Sequence, residues 1–175
     1  MPAFELNRAG TVTPPGGEPT AFYMLDGFTR AYVEALFWLE TEPGTTREDR
    51  ADDLEEWTER AAGGQQKELP GDYGFGDLSP GLLDQIRTDC AAFQEAAKDL
   101  LALAYAVPGY DETRAGHDFW LTRNGHGAGF WDRDELSAVV PESDETLGDR
   151  LSALCGYGTD FPPVDVYMGD DGKAH

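Results

Sequence analysis

The chain has 175 residues, and its 34 acidic and 13 basic side chains give it a formal net charge of −21 at pH 7. Hydrophobic residues make up 40% of the sequence, which is enough for a folded core and excludes a chain that is disordered throughout. The negative charge argues against binding to DNA, RNA or an anionic membrane, because phosphates would repel it.

A chain of this length is typical of a single domain, here 1–175, and we expect three parts within it. Residues 1–20 are rich in Pro and Gly and predict a loose arm. Residues 21–75 predict a helical, acidic part, and residues 76–175 predict an α+β core. The sequence contains no apolar run of the ~18 residues needed to span a bilayer. It also shows no basic and apolar secretory signal, so we expect a cytoplasmic protein.

Two helices are predicted in the first half of the chain. Apolar residues at helical spacing predict the first over residues 28–40, with Asp26 as its N-cap. The second begins near Thr45 or Thr46 and ends at Gly63, and it carries seven acidic residues outside its thin apolar stripe. This second helix is the most acidic predicted element of the chain.

The strongest helical pattern lies in the second half, where Ser79 and Pro80 are a typical helix start. Apolar residues then recur at steps of three and four, which predicts one helix over residues 80–106. Cys90 lies on the apolar face of this helix, and we expect Cys90 and Cys155 to be reduced thiols, as is usual without a secretory signal.

Residues 116–133, GHDFWLTRNGHGAGFWDR, combine strand-forming aromatic residues with a central Asn-Gly. Asn-Gly between two such runs is typical of a tight β-hairpin turn. We therefore expect strands at about 117–123 and 128–133, and a third at 164–168, where apolar and polar residues alternate. The fold class predicted from this pattern is α+β, with a small antiparallel sheet of about three strands packed against several helices.

The predicted hairpin also contains the only candidate catalytic or metal-binding set that the sequence suggests, which consists of His117, Asp118, His126 and Asp132. Neighbouring strand residues face opposite ways, so His117 and Asp118 would not easily share one ion. No HxxxH, HExxH, CxxC or GxSxG motif is present. We therefore predict no catalytic residues, no cofactor and no metal, with a metal-dependent hydrolase centred on these four residues as the alternative.

The acidic residues offer a different kind of site, since carboxylates three or four residues apart share a helix face at ~5–6 Å spacing. Phosphates along DNA are spaced on a similar scale, so such a face could occupy a groove built for nucleic acid. We expect one electronegative face that binds a basic protein; it comprises Asp52, Asp53, Glu55, Glu56, Glu59, Glu142, Asp144, Glu145 and Asp149. The alternative is that the acidity serves only solubility.

Residues 115–133, AGHDFWLTRNGHGAGFWDR, followed by VDVYMGDDGK at 164–173, resemble a pattern in small uncharacterised proteins of tailed bacteriophages and prophages. The resemblance covers about the last half of the chain and leaves residues 1–75 outside it. It departs from the pattern at 134–146, where this chain has a longer linker. The resemblance implies a phage gene acting in the host cytoplasm, and no particular reaction. Together with the charge, it predicts an acidic interaction protein that inhibits a basic host or defence protein by mimicking DNA.

Overall fold

A computed structural model describes residues 20–64, 67–141 and 143–175. Helices dominate the described residues, and the one sheet among them is a two-stranded parallel pair. The helices are α1 Thr20–Tyr23, α2 Gly27–Glu40, α3 Arg47–Asp52, α4 Leu54–Ala62, α5 Pro80–Ala96, α6 Lys98–Tyr105, α7 Glu112–Arg123 and α8 Leu147–Ser152. The strands are β1 Thr41–Glu42 and β2 Leu69–Pro70, with Thr41 opposite Leu69 and Glu42 opposite Pro70.

The predicted α+β fold with a three-stranded antiparallel sheet is therefore wrong, and the main error is the hairpin at 117–133. Residues 112–123 form helix α7 instead. The side chain of Asp111 accepts a hydrogen bond from the Arg114 amide at 3.0 Å and so caps the start of the helix. This cap precedes the segment that was interpreted as a strand.

The Asn-Gly pair ends helix α7 and does not form a hairpin turn. Asn124 is the C-cap, and Gly125 follows with a φ of +68°. A left-handed glycine immediately after a helix is a common C-terminal signal, and it uses the same residue types as a tight turn. The predicted strand at 128–133 is also absent, because Phe130–Asp132 form a short 3₁₀ turn.

The third predicted strand, at 164–168, is not formed either. The chain reverses direction at residues 169–172, and Tyr167 and His175 exchange backbone hydrogen bonds at 3.1 and 2.9 Å. Pairing there is limited to isolated bridges, one of them between Met168 and Ala174. Alternation of apolar and polar residues predicted a strand, but these few residues have no long partner segment to pair with.

The helices predicted from apolar spacing are mostly present. The one predicted at 28–40 is α2, and Asp26 accepts a hydrogen bond from the Thr29 amide at 2.9 Å. The single helix predicted over 80–106 is divided at Ala97, where φ is −96° and ψ is 7°, into α5 and α6.

The described residues fall into two compact units. The first contains Leu36–Asp84 and Asp165–His175 together with the described residues up to Met24, and its core includes Leu36, Phe37, Leu69 and Phe75. The second contains Leu25–Ala35 and Gln85–Val164. The predicted division at residue 75 stays a prediction, and the predicted arm at 1–20 lies outside the described residues except for Thr20.

Aromatic packing forms the core of the second unit. The rings of Phe93 and Phe119 stack with centroids 4.1 Å apart, and Phe28, Phe130 and Phe161 pack around them. Helices α2 and α7 come close here, since a Cβ on Gly116 would lie 2.1 Å from the Phe28 carbonyl oxygen. Each of these rings is less than a tenth exposed, so the packing removes a large apolar area from water.

Buried charge also helps to hold the second unit together. Arg123 on α7 is 3% exposed, and its guanidinium donates to the Pro162 carbonyl at 2.6 Å, to the Tyr32 hydroxyl at 3.0 Å and to Asp89 at 2.7 Å. A buried guanidinium is tolerated only when its donors are satisfied in this way.

Within the described part of the chain, no helix is long and apolar enough to cross a membrane.

Candidate protein-binding surface

Helices α3 and α4, residues 47–62, are named here the acidic arm, because acidic side chains crowd both helices. Thr46 begins α3 with a capping box, in which its side chain accepts from the Asp49 amide and the Asp49 carboxylate accepts from the Thr46 amide. Asp53 then accepts from the Glu56 amide at 3.2 Å at the start of α4. Two of the acidic residues therefore have a local structural role as helix caps.

Arg47, the first residue of α3, fixes the start of the acidic arm to the loop at 72–77. Its backbone amide and Nε donate to the Asp72 carboxylate at 3.0 and 3.1 Å, and its Nη1 donates to Asp77 at 3.1 Å. The guanidinium also lies 4.6 Å from the centre of the Tyr73 ring. These contacts raise the pKa of Arg47, first through its hydrogen bond to Asp77.

The loop that receives Arg47 is in turn held by the end of the chain. The Tyr73 hydroxyl donates to the Gly172 carbonyl at 3.0 Å, and the Ala174 amide donates to the Asp77 carbonyl at 2.8 Å. Burial raises the pKa of Tyr73, so its hydroxyl keeps the proton that it donates. The start of the acidic arm is thus fixed by contacts within its own compact unit.

Beyond this attachment the acidic arm is exposed. Trp57 is 6% exposed and is the one buried side chain among those described in α3 and α4. The predicted binding residues of this segment are all exposed; they are Asp52, Asp53, Glu55, Glu56 and Glu59. Within the described structure, the carboxylates of Asp52, Glu55 and Glu59 have no hydrogen-bond or ion-pair partner, so they are free to meet an external cation.

A cleft of about 170 Å³ opens on the acidic arm. It is lined by Thr45, Asp49, Asp53, Glu56, Trp57 and Arg60. Its lining holds three carboxylates and one guanidinium, so its charge is negative on balance. Asp49, which the sequence did not suggest as a binding residue, also lies in this lining.

The second predicted acidic segment lies in the other compact unit, before and within α8. Asp144, Glu145 and Asp149 are exposed, while Glu142 lies outside the described residues. Asp149 accepts from the Thr146 hydroxyl at 2.6 Å in a capping box, and Glu145 lies 3.5 Å from Arg150. Two of these three carboxylates therefore already have a partner within the chain.

The alternative catalytic set is divided among separate contacts. Nε2 of His117 lies 3.8 Å from a Glu34 carboxylate oxygen. Asp118 is 1% exposed, and its two carboxylate oxygens share the Nε–H of Arg133 at 2.9 and 3.0 Å. It also accepts from the Tyr110 hydroxyl at 2.9 Å. Burial and the neighbouring Asp118 raise the pKa of Tyr110, so it remains a donor. His117 and Asp118 are therefore adjacent on helix α7 but contact different partners.

The other two members of that set also have local contacts. The His126 ring stacks on Trp120 with centroids 6.2 Å apart, and Asp132 accepts from the Gly129 amide at 2.8 Å. Among residues 20–64, 67–141 and 143–175, no three His, Cys, Asp or Glu side chains are grouped so as to hold a metal ion.

Sequence reasoning did not find the Arg47 attachment or the buried Asp118–Arg133 pair. Arg47 and its partners Asp72 and Asp77 are 25 and 30 residues apart, and no local pattern links them. For Asp118, a signal was present, because Phe119, Trp120 and Leu121 follow it directly in a segment that predicts burial. Charged residues in such a segment need partners if they are buried.

The chain matches no family model, no curated protein and no solved structure. The resemblance of 115–133 and 164–173 to phage proteins therefore stays a prediction.

Proposed function

We propose that this chain is a protein-binding module whose acidic arm binds a basic surface of a partner protein. The observation that supports the proposal most is the contrast within the arm. One end is fixed by Arg47 through three hydrogen bonds to two carboxylates, while the predicted acidic side chains beyond it are exposed. A fixed array of charges loses less conformational freedom on binding than a mobile one.

The cleft on the arm favours a cationic side chain as the contacting group. An extended Lys or Arg side chain would place its charge near Asp49, Asp53 and Glu56, and its methylene groups would pack on the Trp57 wall. Attraction of this kind acts mainly on the rate of encounter and on the choice of partner. It weakens with salt, since the Debye length is ~8 Å at physiological ionic strength.

A finer proposal is that the basic surface is one that normally binds nucleic acid. Glu55, Glu56 and Glu59 lie on α4, and Glu59 is four residues from Glu55 and three from Glu56, so these carboxylates repeat at ~5–6 Å, a scale close to that of backbone phosphates. Asp52 lies at the end of α3, before the non-helical Asp53. The net charge of −21 has the sign that such a surface attracts. The resemblance to phage proteins suggests a host or defence protein as this partner.

The test compares two variants that lose the same charge in different places. One carries Asp52→Asn, Glu56→Gln and Glu59→Gln on the acidic arm. The matched control carries Asp160→Asn, Asp165→Asn and Asp170→Asn, which are exposed and lie outside the arm. Binding of a short arginine-rich peptide is measured by calorimetry at low and at raised salt, with thermal unfolding as the check on folding.

We expect the arm variant to bind roughly tenfold more weakly at low salt, since three exposed pairs contribute about 0.5 kcal/mol each. The control variant should stay within about threefold of the unmodified chain, because distant charges are screened. Equal losses in both variants would show that only the total charge attracts the peptide, as expected if the acidity serves solubility. The finer proposal is tested separately, by measuring whether the chain displaces DNA from a partner protein that it binds.

A further inference from the structure

Two large apolar side chains near the start of α8 are exposed. Trp131 is 54% exposed and Val139 is 60% exposed. By contrast, Phe130, the residue before Trp131, and Leu136, which lies between the two in sequence, are fully buried. Isolated exposed apolar residues are common on protein surfaces. These two differ because each is adjacent to a backbone contact with the same short segment, residues 145–148.

The contacts fix both residues next to α8. A Cβ on Gly148 would lie 2.4 Å from the Phe130 carbonyl oxygen, so the backbone just before Trp131 presses against α8. Val139 forms an antiparallel bridge with Thr146, and the Leu147 amide donates to the Ala138 carbonyl at 2.9 Å. The backbone that carries Trp131 and Val139 is therefore ordered against α8 before any partner binds.

Exposed carboxylates lie in the same segments of the chain. They are Asp132 and Asp134 beside Trp131, and Asp144, Glu145 and Asp149 at the start of α8. The cations within the same segments are Arg133, which is hydrogen-bonded to Asp118, and Arg150, which lies 3.5 Å from Glu145. The segments that carry and contact the two apolar residues are therefore negative on balance, and their carboxylates are named here the acidic rim.

We propose that Trp131 and Val139 form the apolar centre of a docking surface for a cationic peptide segment of another protein, one that also carries apolar side chains. Tryptophan is among the residues that contribute most when buried at an interface. The acidic rim selects a basic segment, and the indole face can also accept a cation. This surface lies in the second compact unit, so it is argued independently of the acidic arm.

The probes are two synthetic peptides with the same number of lysines, one with leucines between them and one with serines in their place. The affinity ratio of the two peptides isolates the apolar contribution, since the charge is equal. The variants are Trp131→Ala and Val139→Ser. Tyr157→Ala is the matched control, because Tyr157 is 93% exposed and lies outside the proposed surface.

We expect the unmodified chain to prefer the leucine peptide. Trp131→Ala should reduce that preference roughly tenfold and Val139→Ser roughly threefold, as for a residue at an interface centre and a smaller one beside it. In NMR spectra the indole signal of Trp131 should shift on addition of the leucine peptide, while that of buried Trp120 should not. The Tyr157→Ala variant should keep the full preference.

Three outcomes would overturn the proposal: no preference in the unmodified chain, an unchanged preference in Trp131→Ala, or an equal loss in Tyr157→Ala. The triple variant of the acidic arm separates this result from the proposed function. It should bind both peptides more weakly and keep their ratio, so failure of either proposal leaves the other testable.

Discussion

The guanidinium of Arg47 lies 3.1 Å from the carboxylate of Asp77, although 30 residues separate them in the chain. Asp77 is 6% exposed, so Arg47 supplies the partner that a buried carboxylate requires. The same guanidinium binds Asp72, so Arg47 joins the start of the acidic arm to the loop at 72–77.

The first prediction concerns this attachment. Arg47→Gln should destabilise the chain by about 1–3 kcal/mol, because it leaves buried Asp77 without its charged partner. Amides of α3 should also exchange with deuterium faster. Arg60→Gln is the matched control, since Arg60 is exposed and its substitution removes the same charge. Urea unfolding measures the first effect, and an equal loss in both variants would contradict the role given to Arg47.

The close approach of α2 and α7 gives the second prediction. Gly116→Ala should destabilise by about 1–3 kcal/mol, because its Cβ would lie 2.1 Å from the Phe28 carbonyl oxygen and the two helices would have to separate. Gly81→Ala in α5 should be neutral or stabilise by up to about 1 kcal/mol, since nothing lies within 4 Å of its Cβ. Urea midpoints in the reverse order would show that the helices do not meet at Gly116.

Two tryptophans provide the third prediction. Trp120 is 1% exposed, and Trp120→Ala should lower the free energy of unfolding by about 3–5 kcal/mol. Trp131→Ala removes a side chain that is 54% exposed and should change the free energy of unfolding by less than about 1 kcal/mol. Similar losses from both would mean that Trp131 is part of the core and is not available to a partner.

The two cysteines give a pH-dependent prediction. Burial raises the pKa of Cys155 to about 12 and also raises that of Cys90. Both thiols should therefore stay protonated at about pH 8.5, the usual thiol pKa, and should react with iodoacetamide far more slowly in the folded chain than in urea. A Cys155→Ala variant assigns the remaining rate to Cys90.

The sign of the stability change follows from the same shift. A thiol whose pKa is raised in the folded state holds its proton more tightly there, so its contribution is complete below about pH 8.5. That contribution should be lost as the pH rises toward 12, the folded value for Cys155. Urea midpoints should fall over this interval, and fall less in Cys155→Ala. Native thiols that react as fast as unfolded ones would contradict the raised pKa values of Cys90 and Cys155.

Local signals located the helices of the first part of the fold, although the single helix predicted from Thr45 or Thr46 to Gly63 is divided at Asp53 into α3 and α4. Asp26 and the apolar spacing after it located α2, and Thr46 located the start of α3. The error at 117–133 came from signals that two structures share, since aromatic residues and Asn-Gly serve both a hairpin and the end of a helix. The Asp111 cap and the four-residue steps from Ala115 to Phe119 and from Phe119 to Arg123 favour the helix. Asp111 and Ala115 lie before the segment that was interpreted as a hairpin.

The candidate surface was predictable only in part. The exposure of Glu55 and Glu59 follows from their helical spacing opposite Trp57 on α4, which the sequence displays. The contact of Arg47 with Asp77 depends on how distant segments pack, and charge patterns do not encode such pairings. For the same reason the sequence placed Asp144, Glu145 and Asp149 on one face with the acidic residues of the arm, although the two sets lie in different compact units.

The central claim, that the acidic arm is the binding surface, is tested most directly by mapping where a cationic ligand contacts the chain. The arginine-rich peptide is titrated into isotopically labelled protein, and backbone amide shifts are followed by NMR. We expect the largest changes in residues 47–62, with the cleft residues Asp53 and Glu56 among them, and smaller changes in the Asp52→Asn, Glu56→Gln, Glu59→Gln variant. Shifts spread evenly over all acidic segments, or unchanged in the variant, would contradict the claim.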